Sequence, residues 1–264
     1  EAGQDPAPVD LLAAALDRAE PVFATEFAEG YWSDHWIYNL DQLEAYRAVF
    51  PDRWAALLAT PVGYAAASGR IPGRDERYVL TPRGVRQYAQ VTPRAVEPPD
   101  VHVSVFAKLL GLAAIKAATL GPAGIGLEME GGKPGWYDAL NGLPGLLGSS
   151  LGEVRQLRRL LRLLAAAVAA GDVTSAVVPV EVADLIAGVV AAALAWADGE
   201  VVGAEVRRAD VDRRDLSAWV ELGSLRDGFR ARTAAGVSGE TVELTASELG
   251  EVLGILGRRI DAAV

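Results

Sequence analysis

The sequence predicts an all-α protein with one small β-hairpin. Apolar residues recur at helical spacing along most of the chain, as they do on one buried face of an α-helix. Several of these segments begin at a serine, threonine or proline, the residues that favour a helix start. One segment instead places β-forming residues on both sides of a proline–glycine turn. This pattern favours pairs of antiparallel helices joined by variable loops.

The predicted helices are residues 10–18, 40–49, 103–120, 151–170, 179–197, 213–234 and 245–262. The first places Leu12 and Leu16 on one face, and the third does the same with Leu109 and Leu112. The second is expected to end before Pro51, because proline cannot continue a helix.

Clear start signals mark three of the later helices. Ser150 and Glu153 have the spacing of a capping box, and so do Thr245 and Glu248 at the start of the last helix. In such a box each side chain accepts a hydrogen bond from a backbone N–H that the first turn leaves unpaired. Pro179 is expected at the first position of the fifth helix, where its missing N–H costs nothing.

The predicted hairpin covers about residues 77–88. Two short β-prone runs flank a turn that contains Pro82 and Gly84. Further prolines follow and predict an extended connector. We expect residues 1–264 to form a single helical domain that carries this hairpin as an insertion.

Composition excludes several classes of protein. Hydrophobic residues make up 51% of the 264, so the chain is expected to fold. The formal net charge of -10 argues against nucleic acid or an anionic membrane as partner. The chain has no cysteine and two histidines, which argues against disulfides and against a multi-histidine metal centre. The apolar stretch 177–196 is interpreted as a buried helix, because Glu181 and Asp184 interrupt it.

The most informative segment is the Gly/Pro-rich stretch 124–145, which joins two predicted helices. Long loops of this kind are usually functional. The loop concentrates acids, an amide, a cation and aromatic rings, namely Glu128, Glu130, Lys133, Trp136, Tyr137, Asp138 and Asn141. Acids and amides bond sugar hydroxyls, and rings cover the apolar faces of pyranoses. We interpret the loop as the active-site segment of a carbohydrate enzyme.

Asp138 is the leading candidate for a catalytic acid. Glycoside cleavage needs a proton at the leaving oxygen, and an acid beside Trp136 and Tyr137 would have a raised pKa that keeps a proton available. The alternative is that Asp138 caps a short helical turn.

Two further acids precede Asp138 in the same loop. Glu128 and Glu130 would point the same way in an extended segment, so they could bind hydroxyls or activate water. Lys133 could lie near a substrate hydroxyl or an anion. The alternative is that all three side chains are simply solvated.

A second cluster of aromatic and polar residues lies at positions 31–41. It includes Asp34, His35, Trp36, Tyr38 and Asn39. Such a run is typical of the rim of a binding cleft, where rings stack on sugars and polar tips bond hydroxyls. The alternative is that the rings belong to the core and that Asn39 caps the next helix.

Three segments together resemble large bacterial proteins described as cellobiose phosphorylase-like. They are residues 31–41, the hairpin strands, and residues 128–150. The resemblance runs from about Tyr31 to Leu164. It implies an (α/α)6 barrel and inverting cleavage of a β-glycosidic bond, with inorganic phosphate as the attacking group in true phosphorylases. No other cofactor and no metal is implied.

The resemblance also implies which residue is the acid. Characterised phosphorylases carry an Asp-Trp-Asn-Asp-Gly-Met-Asn motif, and residues 135–141 are similar, which places the general acid at Asp138. Gly135 stands where the motif has its first Asp, and Tyr137 stands where it has Asn.

The resulting expectation is a cytoplasmic carbohydrate enzyme that acts on an oligosaccharide by phosphorolysis or hydrolysis. Since a full barrel of twelve average helices needs on the order of 300 residues or more, we expect this chain to be a portion of a longer barrel protein. The alternative is a non-catalytic helical module that binds oligosaccharide or packs against a partner domain.

Overall fold

The computed structural model describes residues 36–64, 69–70, 73, 78–82, 84–87, 92–93, 101–121, 124–128, 149–198 and 208–264. These residues are mostly helical, with a few small strands, which confirms the prediction of a helical protein. The expected helix at 10–18 lies outside the described residues, and so does most of the expected proline connector.

The described residues contain seven α-helices. They are α1 Trp36–Val49, α2 Trp54–Ala59, α3 Val105–Ala117, α4 Leu151–Ala169, α5 Val180–Asp198, α6 Arg208–Arg232 and α7 Ala246–Asp261. A 3-10 turn, Pro51–Arg53, separates α1 from α2.

All strands in the described part of the chain are short and pair in antiparallel twos. In chain order they are β1 Pro61–Gly63, β2 Gly69–Arg70, β3 Tyr78–Thr81, β4 Gly84–Gln87, β5 Thr92–Pro93, β6 His102–Ser104, β7 Leu127–Glu128, β8 Ser149–Ser150, β9 Ser175–Pro179 and β10 Thr241–Thr245. The pairs are β1–β6, β2–β5, β3–β4, β7–β8 and β9–β10. The β3–β4 pair confirms the predicted hairpin, with Thr81 opposite Gly84 at its turn.

Two local predictions were wrong in detail. Asn39 was the alternative cap of the second helix, but α1 already begins at Trp36 and Asn39 lies inside it. Pro179 was expected as the first residue of a helix, but it is the last residue of β9. The Asn39 prediction was wrong because sequence patterns place helix ends only to within a few residues. The Pro179 prediction was wrong because a short apolar run before a helix is compatible with a strand as well as with a helix.

Two helix–strand–helix units pack together through their strands. The first is α4–β9–α5 and the second is α6–β10–α7, and β9 pairs with β10 over five residues from Ser175↔Thr245 to Pro179↔Thr241. Backbone hydrogen bonds extend this ladder at both ends, since Val180 N donates to Glu240 O and Ala246 N to Thr174 O. The pairing sets the second unit against the first, where α7 packs on α4 and α6 packs on α5.

One continuous apolar core joins all seven helices of the described chain. Its fully buried members include Leu110 of α3, Leu157 and Leu164 of α4, Val182 of α5 and Ile260 of α7. Helix α3 lies centrally, because it packs against α2, α4, α5 and β9.

The ends of α4 follow directly from its sequence. At its start the Ser150 hydroxyl accepts a hydrogen bond from Glu153 N, which confirms one half of the predicted capping box. The Glu153 carboxylate accepts hydrogen bonds from Trp36 and Lys116. At its end Gly171 has φ +79°, and the N–H groups of Gly171 and Asp172 return to the carbonyls of Val168 and Ala167. This is a Schellman motif, which needs a residue that tolerates positive φ.

The predicted capping box at the last helix is confirmed. The Thr245 hydroxyl accepts a hydrogen bond from Glu248 N, and the Glu248 carboxylate accepts one from Thr245 N at 2.7 Å. These contacts lower the pKa of Glu248, because the Thr245 hydroxyl and backbone N–H both donate to its charged form.

Helix α5 is the one described helix that is long and apolar enough to cross a membrane. This statement rests on length and composition over residues 180–197, of which about a third are buried in the structure. The buried side of α5 contacts α3, α6 and α7.

Gly188→Ala is predicted to destabilise the protein although alanine is the better helix former. A Cβ at Gly188 of α5 would lie 2.5 Å from Leu225 Cδ2 and 3.3 Å from Leu225 Cγ on α6. Overpacking of this kind costs about 1–3 kcal/mol, which exceeds the ~1 kcal/mol that alanine gains over glycine in a helix.

The matched control is Gly228→Ala on α6, where an added Cβ meets no atom within 4 Å. This variant should be neutral or more stable. Urea unfolding of both variants measures the difference, and a gain of stability in Gly188→Ala would contradict the packing argument.

Candidate functional site

The residues that the sequence proposes for a sugar site fall into two groups. Outside the described residues lie Asp34, His35, Glu130, Lys133, Trp136, Tyr137, Asp138 and Asn141. The structure describes Trp36, Tyr38, Asn39 and Glu128. The geometry below therefore concerns the base of the proposed active-site loop and the first helix.

Strands β7 and β8 form the base of this loop. Leu127 lies opposite Ser150 and Glu128 opposite Ser149, so the chain leaves and re-enters the described structure at adjacent points. A backbone hydrogen bond of 2.6 Å from Glu128 N to Thr119 O attaches β7 to the end of the α3 segment.

A glycine turn delivers the chain to β7. Gly124 and Gly126 both have φ +68°, a conformation that costs side-chain-bearing residues free energy. A Cβ at Gly124 would also lie 3.0 Å from Asp215 Oδ1, so a side chain at this position would have to displace its neighbour on α6. Gly126 N donates to Ala263 O after α7. The two glycines thus serve close packing against the last two helices.

Glu128 is buried and points to α6. Its side chain is 6% exposed, and its Oε2 accepts a hydrogen bond of 2.7 Å from Arg226 Nη1. Its Oε1 accepts a hydrogen bond from the Trp219 indole N–H. Arg226 is itself fully buried, and its Nε donates to Asp227 at 3.0 Å. Burial of these charges is tolerated because they are paired and hydrogen-bonded.

A second buried group lies beside Gly124. Two guanidinium groups lie over the Trp196 ring of α5, with Arg214 Cζ at 4.3 Å and Arg259 Cζ at 4.0 Å from its centroid. Its indole N–H donates to Asp215 Oδ1 at 2.6 Å. Cations on aromatic faces are attracted by the ring quadrupole, so the stack joins α5, α6 and α7.

Arg259 differs from Arg226 in its surroundings. It is 6% exposed, and its guanidinium lies over the Trp196 ring, with Cζ 4.0 Å from the centroid, whereas Arg226 meets the carboxylates of Glu128 and Asp227. Burial, together with the charge of Arg214, lowers the pKa of Arg259 to about 10, although the charge of Asp215 opposes the shift.

Trp36 belongs to the core. It is 8% exposed, its indole N–H lies 3.4 Å from Glu153 Oε2, and Lys116 Nζ donates to the same oxygen at 3.0 Å. Tyr38 and Asn39 are exposed on α1, and Tyr38 is two residues from Trp36, on the opposite side of a helix. The structure therefore does not bring Trp36 and Tyr38 together on one face.

Two concave regions of the described surface can be compared with the predicted site. An apolar cavity between α3, α5, α6 and α7 has a volume of about 10 Å³, enough for about one water molecule. An open groove of about 490 Å³ lies between α1 and α4 and is lined by Glu44, Arg47, Ala48, Arg159, Arg162 and Leu163. Neither lining contains a residue of the proposed sugar site. Within the described ranges no group of three or more His, Cys, Asp or Glu side chains is placed to hold a metal ion.

Sequence reasoning selected Glu128 but missed its partners. Trp219 and Arg226 lie about ninety residues further along the chain, in a helix of mixed polar and apolar residues with no local motif. A buried arginine in such a helix cannot be told from a solvated one by spacing alone. Comparison of the chain with protein-family models gives no match, and comparison with curated protein sequences gives no significant match.

Arg226 and Arg259 are predicted to respond differently to replacement by methionine. Arg226→Met leaves the buried Glu128 carboxylate without its cation, which should cost about 3–5 kcal/mol of unfolding free energy. Arg259→Met removes a cation that burial disfavours, while methionine keeps an apolar side chain against Trp196. Burial lowers the pKa of Arg259 in the folded protein. The loss of stability caused by its buried charge is therefore fully present below about pH 10, and it applies at pH 7.

Urea unfolding at pH 7 measures both effects. We expect Arg259→Met to stay within ~1 kcal/mol of the parent protein or to exceed it, as apolar replacements of buried charges often do. Equal losses in the two variants would contradict this distinction.

Proposed function

We propose that this chain is a segment of a carbohydrate-active enzyme that cleaves a β-glucosidic bond with inversion. The observation that carries the proposal is the concentration of acids, an amide and aromatic rings in residues 128–141. The pairing of β7 with β8 supports it, because a loop whose two ends are fixed side by side on a helical core can present its residues as one site.

In this proposal Asp138 is the general acid. The neighbouring rings of Trp136 and Tyr137 disfavour its charged form and keep a proton available for the departing sugar oxygen. The attacking group is inorganic phosphate, or water activated by Glu130 or Glu128. Of these two acids Glu130 is the better candidate base, because both oxygens of Glu128 accept hydrogen bonds from α6.

The resemblance to cellobiose phosphorylase-like proteins supports the same chemistry. Its fold would be an (α/α)6 barrel, and the helix pairs of this chain would form part of it. Asn141 and Lys133 would bind substrate within the loop, and Asp34, His35, Tyr38 and Asn39 would extend the binding surface. Trp36 would support that surface from the core.

A second candidate function is a non-catalytic module that binds oligosaccharide or packs against a partner domain. Gly135 favours it, because this residue stands where the similar phosphorylase motif has an acid. The burial of Trp36 and Glu128 also favours it, since two residues expected to contact a sugar are used in structural contacts.

Asp138→Asn in the full chain is predicted to abolish cleavage of β-linked glucosides while sugar binding is retained. The amide keeps the shape of the side chain but cannot deliver a proton to the leaving oxygen. Product formation from cello-oligosaccharides measures cleavage, and calorimetry measures binding.

The matched control is Asp52→Asn, since Asp52 is exposed in the 3-10 turn before α2. It should leave both readings unchanged. Turnover retained by Asp138→Asn would exclude Asp138 as the acid, and binding without any product from the parent chain would favour the non-catalytic module. Release of a sugar 1-phosphate only when phosphate is present would distinguish phosphorolysis from hydrolysis.

A further inference from the structure

The pair of strands at the base of the loop cannot set its own register. Strands β7 and β8 contribute two residues each, with Leu127 opposite Ser150 and Glu128 opposite Ser149. A slip of one residue would turn every side chain of such a short strand to the other face, and two pairs offer little to prevent it. The register must therefore be fixed by contacts outside the strands.

Glu128 receives such contacts from α6. Trp219 and Arg226 are seven residues apart, which is two helical turns, so both side chains leave the same face of α6. Trp219 donates to Oε1 of Glu128 and Arg226 Nη1 donates to Oε2 at 2.7 Å. Two donors from one helix fix both the position and the orientation of the carboxylate.

The backbone of Glu128 is fixed as well. Its N–H donates to Thr119 O at 2.6 Å, and the adjacent Leu127 forms a β-bridge with Leu120 and is fully buried. Glu128 directly precedes segment 129–148, and it is thus fixed by contacts both with the end of the α3 segment and with α6. Its strand partner, Ser149, directly follows that segment.

A buried ion pair is poorly explained by stability alone. Apolar residues of similar volume often serve a core equally well, whereas a directional pair selects one arrangement of the chain. Arg226 has a fully buried side chain and meets Glu128 across 98 positions of sequence. Its geometry therefore fits a role in selecting one arrangement.

We propose that Arg226, with Trp219, is a positioning residue that fixes the register of β7 against β8 through Glu128. In this role Glu128 is the anchor of the loop rather than the base that activates water. The register is independent of any activity; its catalytic consequence rests on the proposed function, in which Asp138 lies ten residues beyond Glu128.

The test uses the full chain with the double variant Glu128→Met/Arg226→Met, which removes the directional contacts and keeps an apolar pair of similar size. Arg226→Lys is the second variant, since it keeps the charge and loses the planar fork. The matched control is Arg232→Met, which removes an exposed pair with Asp184 at 3.9 Å from the same helix.

Hydrogen exchange of the Glu128 and Ser150 amides reports the anchor directly. We expect exchange at least about tenfold faster in the double variant and in Arg226→Lys, with unchanged exchange in the middle of α4 and in Arg232→Met. If the double variant does not fold, Arg226→Lys gives the same reading. Parent-like exchange at Glu128 and Ser150 in a folded variant would overturn the proposal.

Sugar turnover reports the consequence for the site. In an active parent chain kcat should fall by roughly a hundredfold in both variants with KM changed much less, because small displacements of a catalytic group are costly. Faster exchange with unchanged kcat would overturn the positioning role. Faster exchange in a chain whose parent binds sugar without turnover would favour the non-catalytic module and leave the anchor standing.

Discussion

The pairing of β9 with β10 is the constraint on which the rest of the described structure depends. It joins two helix–strand–helix units that follow each other in the chain, through strands that begin at Ser175 and Thr241, and so it decides where α6 and α7 lie. Those two helices supply four side chains that lie against the 124–128 segment: Asp215, Trp219 and Arg226 from α6, and Arg259 from α7. Without this ladder the base of the proposed loop would have no partner for its buried carboxylate.

Two buried cations on the last two helices show how surroundings, rather than residue type, determine energetic consequences. Arg226 meets carboxylates of Glu128 and Asp227 within hydrogen-bond distance, whereas Arg259 lies on the face of Trp196. Removing one partner of a buried ion pair lowers the stability of the fold strongly. A buried charge with weak compensation already lowers the stability while it is present. Both lie against the described start of the Gly/Pro-rich stretch, Arg259 beside Gly124 and Arg226 beside Glu128.

The sequence predicted part of the candidate site. Glu128 was selected because acids and rings cluster around it in one loop, and local clustering is visible in a single sequence. Its partners could not be selected, since Trp219 and Arg226 are ordinary residues of a mixed helix until the fold brings them to β7. Trp36 illustrates the opposite difficulty. An aromatic residue in a polar run is consistent with the rim of a cleft and also with the core. The structure places Trp36 in the core, where it is buried near Glu153 and Lys116.

By itself the sequence determined most of the described helices and three of their ends, because spacing of apolar residues, the Thr245–Glu248 box, the Ser150 cap and the stop before Pro51 all act within a few residues. Only the tertiary structure decided the β1–β6, β7–β8 and β9–β10 pairings, since such short strands gain their hydrogen bonds from distant partners. It also decided that Glu128 faces inward. The direction of a side chain in a two-residue strand depends on what packs against it, and for Glu128 those partners, Trp219 and Arg226, lie about ninety residues further along the chain.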